Sequence, residues 1–304
     1  MHVFVTGASG WIGSAVVPEL TGAGHTVTGL ARSDASARAL TAAGAEAVLG
    51  TLDDLDVLRD AATAADGVIH LAFKHDLAFT GDFAAAADAD RRAVETMGDA
   101  LAGSGRPFVL ASGVVGLLPG RVATELDGLD PATDLPGGFA TRQGTARLTL
   151  DLAARDVRSS VMRLSPTVYG DGDQGFVASL VGTARDKGVS GYVGDGANRW
   201  PAVHRIDAAH LFRLALEQAE AGSVLHAVGD EGVAIRAIAE VIGRHLDLPV
   251  TSIAPDDAAA HFGWLAMAVG LDSPASSTLT RERFGWQPTQ PGLLDDLEKG
   301  HYFA

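Results

Sequence analysis

Thr6-Gly7-Ala8-Ser9-Gly10-Trp11-Ile12-Gly13 follows a short apolar run at once and opens a helical one. Glycines at that spacing serve phosphate. Gly7 allows a tight turn, Gly10 lets the backbone approach a pyrophosphate, and Gly13 lets the helix pack close to the sheet. The helix N-terminus then stabilises the anion, so a dinucleotide is the expected ligand. Its type is decided about 20 residues on, where an Asp or Glu would bind a ribose 2′-hydroxyl. The sequence there is Gly29-Leu30-Ala31-Arg32-Ser33-Asp34, with Ala31 at the acid's place. Arg32 and Ser33 suit a 2′-phosphate by charge and hydrogen bonding. NADP is therefore expected over NAD, with Asp34 capping the next helix.

Other chemistries lack their residues. The chain has no cysteine, which excludes disulfides, thiolate nucleophiles and Cys-type metal sites. None of the 10 histidines forms an HExxH pattern, and there is no Gly-x-Ser-x-Gly elbow. Gly172-Asp173-Gln174-Gly175 lacks the carboxylate series of a calcium loop. No metal is expected. With 23 Lys+Arg against 38 Asp+Glu the net charge is −15, and Arg91-Arg92 is the longest basic run, which argues against a nucleic-acid partner. The start of the chain shows no signal-peptide pattern. The most apolar stretch, Phe262 to Leu271, is too short for a bilayer. A cytoplasmic location without a membrane partner is the expectation.

These residues need a scaffold, and 304 residues at 47% hydrophobic can build a large core. Strand-like apolar runs fall at His2–Thr6, Thr26–Ala31, Ala45–Leu49, Gly67–Leu71, Pro107–Ser112 and Ser159–Leu164. Helical stretches lie between them near Trp11–Ala23, Ala35–Ala43, Leu55–Ala65, Phe83–Ala102 and Thr141–Arg155. Strands without polar alternation, separated by helices, imply a parallel sheet covered on both faces. The fold class is α/β: a Rossmann-type doubly wound domain over residues 1–165, to which the chain returns later. A smaller C-terminal substrate-binding part occupies 166–304, with helices at Ala208–Gln218, Ile235–Leu246 and Pro255–Val269.

The residues resemble the extended branch of the short-chain dehydrogenase/reductase superfamily, which includes epimerase/dehydratase-like proteins. Thr6–Gly13 matches its TGxxGxxG, and Val68-Ile69-His70-Leu71-Ala72 resembles its fourth-strand HxAA element. Arg163-Leu164-Ser165-Pro166-Thr167-Val168-Tyr169-Gly170 is similar to LRPxxVYG, and Val203-His204-Arg205-Ile206-Asp207-Ala208-Ala209 to VHVxDxA. The resemblance implies that Gly7, Gly10, Trp11, Ile12 and Gly13 hold the pyrophosphate and that Leu52 stacks on the adenine. It implies that Leu71 and Ala72 line the cofactor, and that Pro166, Thr167 and Val168 contact the nicotinamide end. It also implies a catalytic Ser at the end of the fifth strand, here Ser112, and homodimers through helices such as Phe83–Ala102 and Thr141–Arg155.

One departure dominates. The family's Tyr-x-x-x-Lys pair is absent: only Tyr169, Tyr192 and Tyr302 occur, and none precedes a Lys by four residues. Phe139/Gln143 or Gly138/Arg142 fill those places, depending on register. His75, in the loop Phe73-Lys74-His75-Asp76, is the candidate proton donor, with Asp76 and Lys74 shifting its pKa in opposite directions. Tyr169 is a distant second donor. His204 is expected to be structural, His70 a satisfied core histidine, and Arg142 an orienting group that cannot shuttle protons. Arg199 lies within one residue of where sugar-nucleotide members carry a phosphate-binding Arg. The expected function is NADP-dependent reduction of a small carbonyl or imine by hydride transfer. Phe176, Trp200, Phe262 and Trp264 suggest an apolar or aromatic substrate, although core packing explains them equally. The alternatives are an NAD-dependent epimerase or dehydratase and a non-catalytic NADP-sensing regulator.

Overall fold

The computed structural model describes residues 1–79, 81–115, 117–118, 120–128 and 139–304, with the backbone alone for Phe79, Phe139, Ala140 and Thr141. The chain opens with β1 (His2–Thr6), α1 (Gly13–Gly22), β2 (Thr26–Ala31), α2 (Asp34–Ala42), β3 (Glu46–Leu49), α3 (Leu55–Ala64) and β4 (Gly67–His70). It continues through α4 (His75–Phe79), α5 (Phe83–Leu101), β5 (Pro107–Gly113), α6 (Phe139–Asp151), β6 (Arg158–Leu164), β7 (Thr167–Tyr169) and α7 (Phe176–Lys187). Then come β8 (Ser190–Val193), β9 (Arg199–His204), α8 (Arg205–Gln218), β10 (Ser223–Ala227), β11 (Asp230–Ala234), α9 (Ile235–Leu246) and β12 (Val250–Ile253).

Seven strands form one parallel sheet in the order β10-β6-β5-β4-β1-β2-β3. Successive side chains of a strand enter opposite layers, so both must be apolar. Val3, Val5, Ile69, Val109 and Met162 face a core shared with Val16, Leu20, Phe212 and Leu216 of α1 and α8. Phe4, Val68, Phe108, Leu110 and Val161 belong to the opposite core, with Leu58, Val94, Met97 and Leu101 of α3 and α5. This is the doubly wound parallel sheet expected from the sequence. The strand order reverses between β1 and β4, which opens a crevice at their carboxyl ends.

A second core gathers α7, α9, Trp200, Phe262 and Leu265 beside two small sheets, β11-β9-β7 and β12-β8. The continuous helix expected over Pro255–Val269 is instead broken into four short turns, with Gly263 at φ +57°. Only glycine takes that conformation without strain. No described helix is long and apolar enough to cross a membrane.

Candidate active site

Gly7 leaves β1 at φ +65°, and a Cβ on it would lie 2.8 Å from Ala72 N. A Cβ on Gly13 would lie 2.2 Å from Gly7 O and 2.6 Å from Ala8. Gly13 thus lets α1 close on the loop's own backbone rather than on the sheet. Ile12 caps α1 without a side-chain hydrogen bond, and no described hydrogen bond uses the N–H of Trp11 or Ile12. A glycine cradle with free backbone donors at a helix N-terminus fits a pyrophosphate. Leu71 N donates to Thr6 O at 3.2 Å and Ala72 N to Thr6 Oγ1 at 3.2 Å, so both residues border this loop. The Trp11 indole N–H donates to Val168 O at 2.7 Å, which brings β7 and the Pro166–Val168 segment to the cradle. Thr167 is buried, and its hydroxyl has no partner.

At the end of β2, Arg32 is exposed and makes no hydrogen bond or ion pair with the described residues. Ser33, not Asp34, caps α2: its Oγ accepts from Ser36 N at 3.2 Å and donates to Ser36 Oγ at 3.1 Å. The short hydroxyl reaches back to the open turn, while Asp34 sits in the first turn, where its charge meets the helix dipole. Leu52 is buried in the core that contains Leu30 and Val68.

The other side of the crevice holds the reactive groups. Ser112 is buried at the end of β5, with an unpartnered Oγ. Arg142 of α6 donates through Nη2 to Ala111 O at 2.8 Å, and its guanidinium lies 4.2 Å from the centroid of the Phe73 ring. Gln143 donates to Gly113 O at 3.2 Å. His75 packs edge-on against Phe73, at 5.2 Å between centroids. Burial and then the Arg142 charge lower the His75 pKa, against Asp76 and Asp90. Lys74 plays no part there, because Asp53 holds its ammonium at 2.5 Å. Ser112, Arg142, Phe73 and His75 are therefore gathered at the carboxyl ends of β4 and β5. Gly138 lies outside the described residues.

Sequence reasoning passed over Asp90. It is 1% exposed on α5, and its Oδ1 accepts from His70 Nε2 at 3.2 Å while Oδ2 has no partner. The Nδ1 of His70 faces Thr6 Oγ1 at 2.6 Å, which makes His70 the satisfied core histidine expected. The signal for Asp90 was its place in the apolar stripe Ala86, Asp90, Ala93 and Met97, whose i, i+3 and i+4 spacing faces the core.

The chain matches the family described as NAD dependent epimerase/dehydratase over residues 3–228. It belongs to that family. An uncharacterized protein of Schizosaccharomyces pombe is 46% identical over 305 residues, covering 100% of both chains. A 4-hydroxy-2-methyl-3-oxo-4-farnesyl-3,4-dihydroquinoline-1-oxide ketoreductase of Stigmatella aurantiaca is 26% identical, over 90% of this chain and 84% of its own. The structure of MoeE5 in complex with UDP-glucose and NAD superposes with a TM-score of 0.77 at 23% identity, over 98% of this chain and 96% of that one, a likeness of fold. Membership places the chain among nicotinamide-dinucleotide-dependent enzymes of oxidoreductase, epimerase and dehydratase type.

Within the epimerase/dehydratase family, the usable phenol is what this site lacks. Tyr169 donates to Pro291 O at 2.7 Å and Tyr302 to Asp173 at 3.0 Å. Burial raises both phenol pKa values. Tyr192, on β8, lies beneath the Arg236 guanidinium. His204 caps α8 through Nδ1, as a structural histidine would. Arg199 is held by Asp272 in a bidentate pair at 3.0 and 2.9 Å, so its charge is already neutralised.

Proposed function

We propose that the protein is an NADP-dependent reductase of a small, largely apolar carbonyl or imine compound. The observation that carries the cofactor preference is Arg32: an exposed guanidinium, unpaired among the described residues, directly follows Ala31, which stands where an acid would select NAD. Ser33 is committed to its helix, so Arg32 bears the 2′-phosphate, with Ser33 supplying at most a shared hydroxyl. Trp11, Ile12 and the three glycines hold the pyrophosphate, and Leu71, Ala72 and Pro166–Val168 border the nicotinamide end. Leu52 offers only an edge towards the adenine, since most of it is buried.

A bound reduced nicotinamide supplies hydride to the substrate carbon. Ser112 and Arg142 hold the substrate oxygen, and the developing alkoxide is stabilised by the guanidinium charge. Phe73 fixes that guanidinium in place. His75, edge-on to Phe73, delivers the proton that completes the alcohol; as the protonated form is the donor, this step is faster as pH falls through its lowered pKa. An imine enters as its iminium and needs no such donor. The proposed apolar side for the substrate rests on Phe176 and the exposed Trp264, edge-on at 5.3 Å; Trp200, 5.4 Å from Phe176, is buried in the second core.

An epimerase or dehydratase reading requires a phenolic base, and the occupied Tyr169 and Tyr302 speak against it. The neutralised Arg199 speaks against a sugar-nucleotide substrate. The decisive experiment is fluorescence titration of wild type and Arg32→Ala with NADPH and NADH. Tight NADPH binding that falls to the NADH level in Arg32→Ala supports the reading. Equal binding of both by wild type removes it. Tight NADPH binding with no turnover on a panel of ketones and cyclic imines would favour the sensor instead.

A further inference from the structure

We infer that Arg205 is a further dinucleotide-binding residue, a cation that holds the pyrophosphate beside the glycine loop. This rests on the dinucleotide reading above and adds to it a residue from the other end of the chain. Arg205 is the first residue of α8, and its guanidinium lies 4.3 Å from the centroid of the Trp11 ring. The ring cannot swing freely, because its N–H is bonded to Val168 O. The cation is thereby held against the loop whose Trp11 and Ile12 N–H groups are unused.

Two observations say that this cation lacks a counter-ion. It makes no hydrogen bond or ion pair with the described residues, in a chain where 38 acidic residues outnumber 23 basic ones. The acids of its own helix are engaged: Asp207 accepts from Thr289 and Gln290, and Glu217 from His25 and Arg213. Its position is also unfavourable by itself. A cation at the first residue of a helix opposes the macrodipole, and the N-terminus of α1 adds a second positive helix end nearby. A diphosphate offsets all three. The segment Val203–Ala209 departs here from the VHVxDxA pattern it resembles, with Arg205 in place of Val.

The test is fluorescence titration of the full chain carrying Arg205→Met or Arg205→Lys, with NADPH, NADH and ADP-ribose as probes. Arg205→Met should weaken all three by a similar factor, about 10- to 100-fold for one charged hydrogen-bonding partner. Arg205→Lys should recover most of the loss. Adenosine 2′-monophosphate, which carries neither a 5′-phosphate nor a pyrophosphate, should bind Arg205→Met as it binds wild type. Arg32→Ala should give the complementary pattern and weaken only 2′-phosphorylated ligands. Unchanged NADH and ADP-ribose affinity in a folded Arg205→Met overturns the inference while leaving the cofactor reading intact. A wild type that binds no dinucleotide overturns both. If Arg205→Met fails to fold, Arg205→Gln, which keeps most of the stem, decides by the same criterion.

Discussion

The indole N–H of Trp11 and the carbonyl oxygen of Val168 are 2.7 Å apart across 157 residues of sequence. This bond joins the loop after β1 to the strand that enters the second core. Trp11→Phe keeps a ring but loses the donor and should cost about 1 kcal/mol, seen as a melting temperature lower by roughly 1.5–2 °C for a chain of this size. Both NADH and NADPH should bind more weakly. A variant with unchanged melting and affinity would show that the bond does not matter.

Two glycines of α1 should respond in opposite ways. Gly13→Ala places a methyl 2.2 Å from Gly7 O, so the loop must open and dinucleotide binding should be lost in a protein that still gives a helical circular-dichroism spectrum. Gly22 has nothing within 4 Å of the corresponding position. Gly22→Ala should leave binding unchanged and add about 0.5–1 kcal/mol of stability, as Ala does inside helices.

Asp90 and Arg142 act on His75 with opposite signs. Asp90→Asn removes an attraction for the imidazolium and should lower the His75 pKa further. Arg142→Gln removes a repulsion and should raise it. NMR titration of the His75 ring reads both directly. In turnover, Arg142→Met should lower kcat by about 100- to 1000-fold if the guanidinium holds the alkoxide, with a much smaller change in KM. A loss confined to KM would place Arg142 on ground-state binding instead.

His226 is fully buried, donates to Ser276 O through Nδ1 at 2.8 Å and lies 3.4 Å from the Arg163 guanidinium. Burial, aided by Arg163 and opposed by Glu125 and Asp127, lowers its pKa to about 4. The unfolded chain, with an ordinary value near 6.5, binds the extra proton first. Stability should therefore be full above about pH 6.5 and fall as the pH drops towards 4, by about 3 kcal/mol from this residue. Urea denaturation across that window measures it, and His226→Gln, less stable at neutral pH, should show a flatter profile.

The parallel sheet was legible because its strands are apolar on both faces, as Val3-Phe4-Val5 and Val68-Ile69 are. The cradle was legible because a Cβ on Gly7 or Gly13 would fall within 3.0 Å of backbone atoms, so their spacing is fixed by sterics. Three things were not. The cap of α2 went to Ser33 over Asp34 because capping depends on backbone angles that composition does not carry. The length of Pro255–Val269 was misjudged because Gly263 takes a positive φ inside an apolar stretch. The pairing of Lys74 with Asp53, which left Arg142 to act on His75, joins residues 21 positions apart through the tertiary fold.

The layer over one face of the sheet is assembled late. Val3, Val5, Val16 and Leu20 share their core with Phe212 and Leu216 of α8 and with Trp286. On a ribosome adding 5–20 residues per second, roughly 15 to 60 s pass before Trp286 has been made. Until then the nascent first 165 residues carry a sheet with one apolar face covered by α1 and α2 alone. A fragment ending there would be a sticky, chaperone-dependent species, not a miniature cofactor-binding domain.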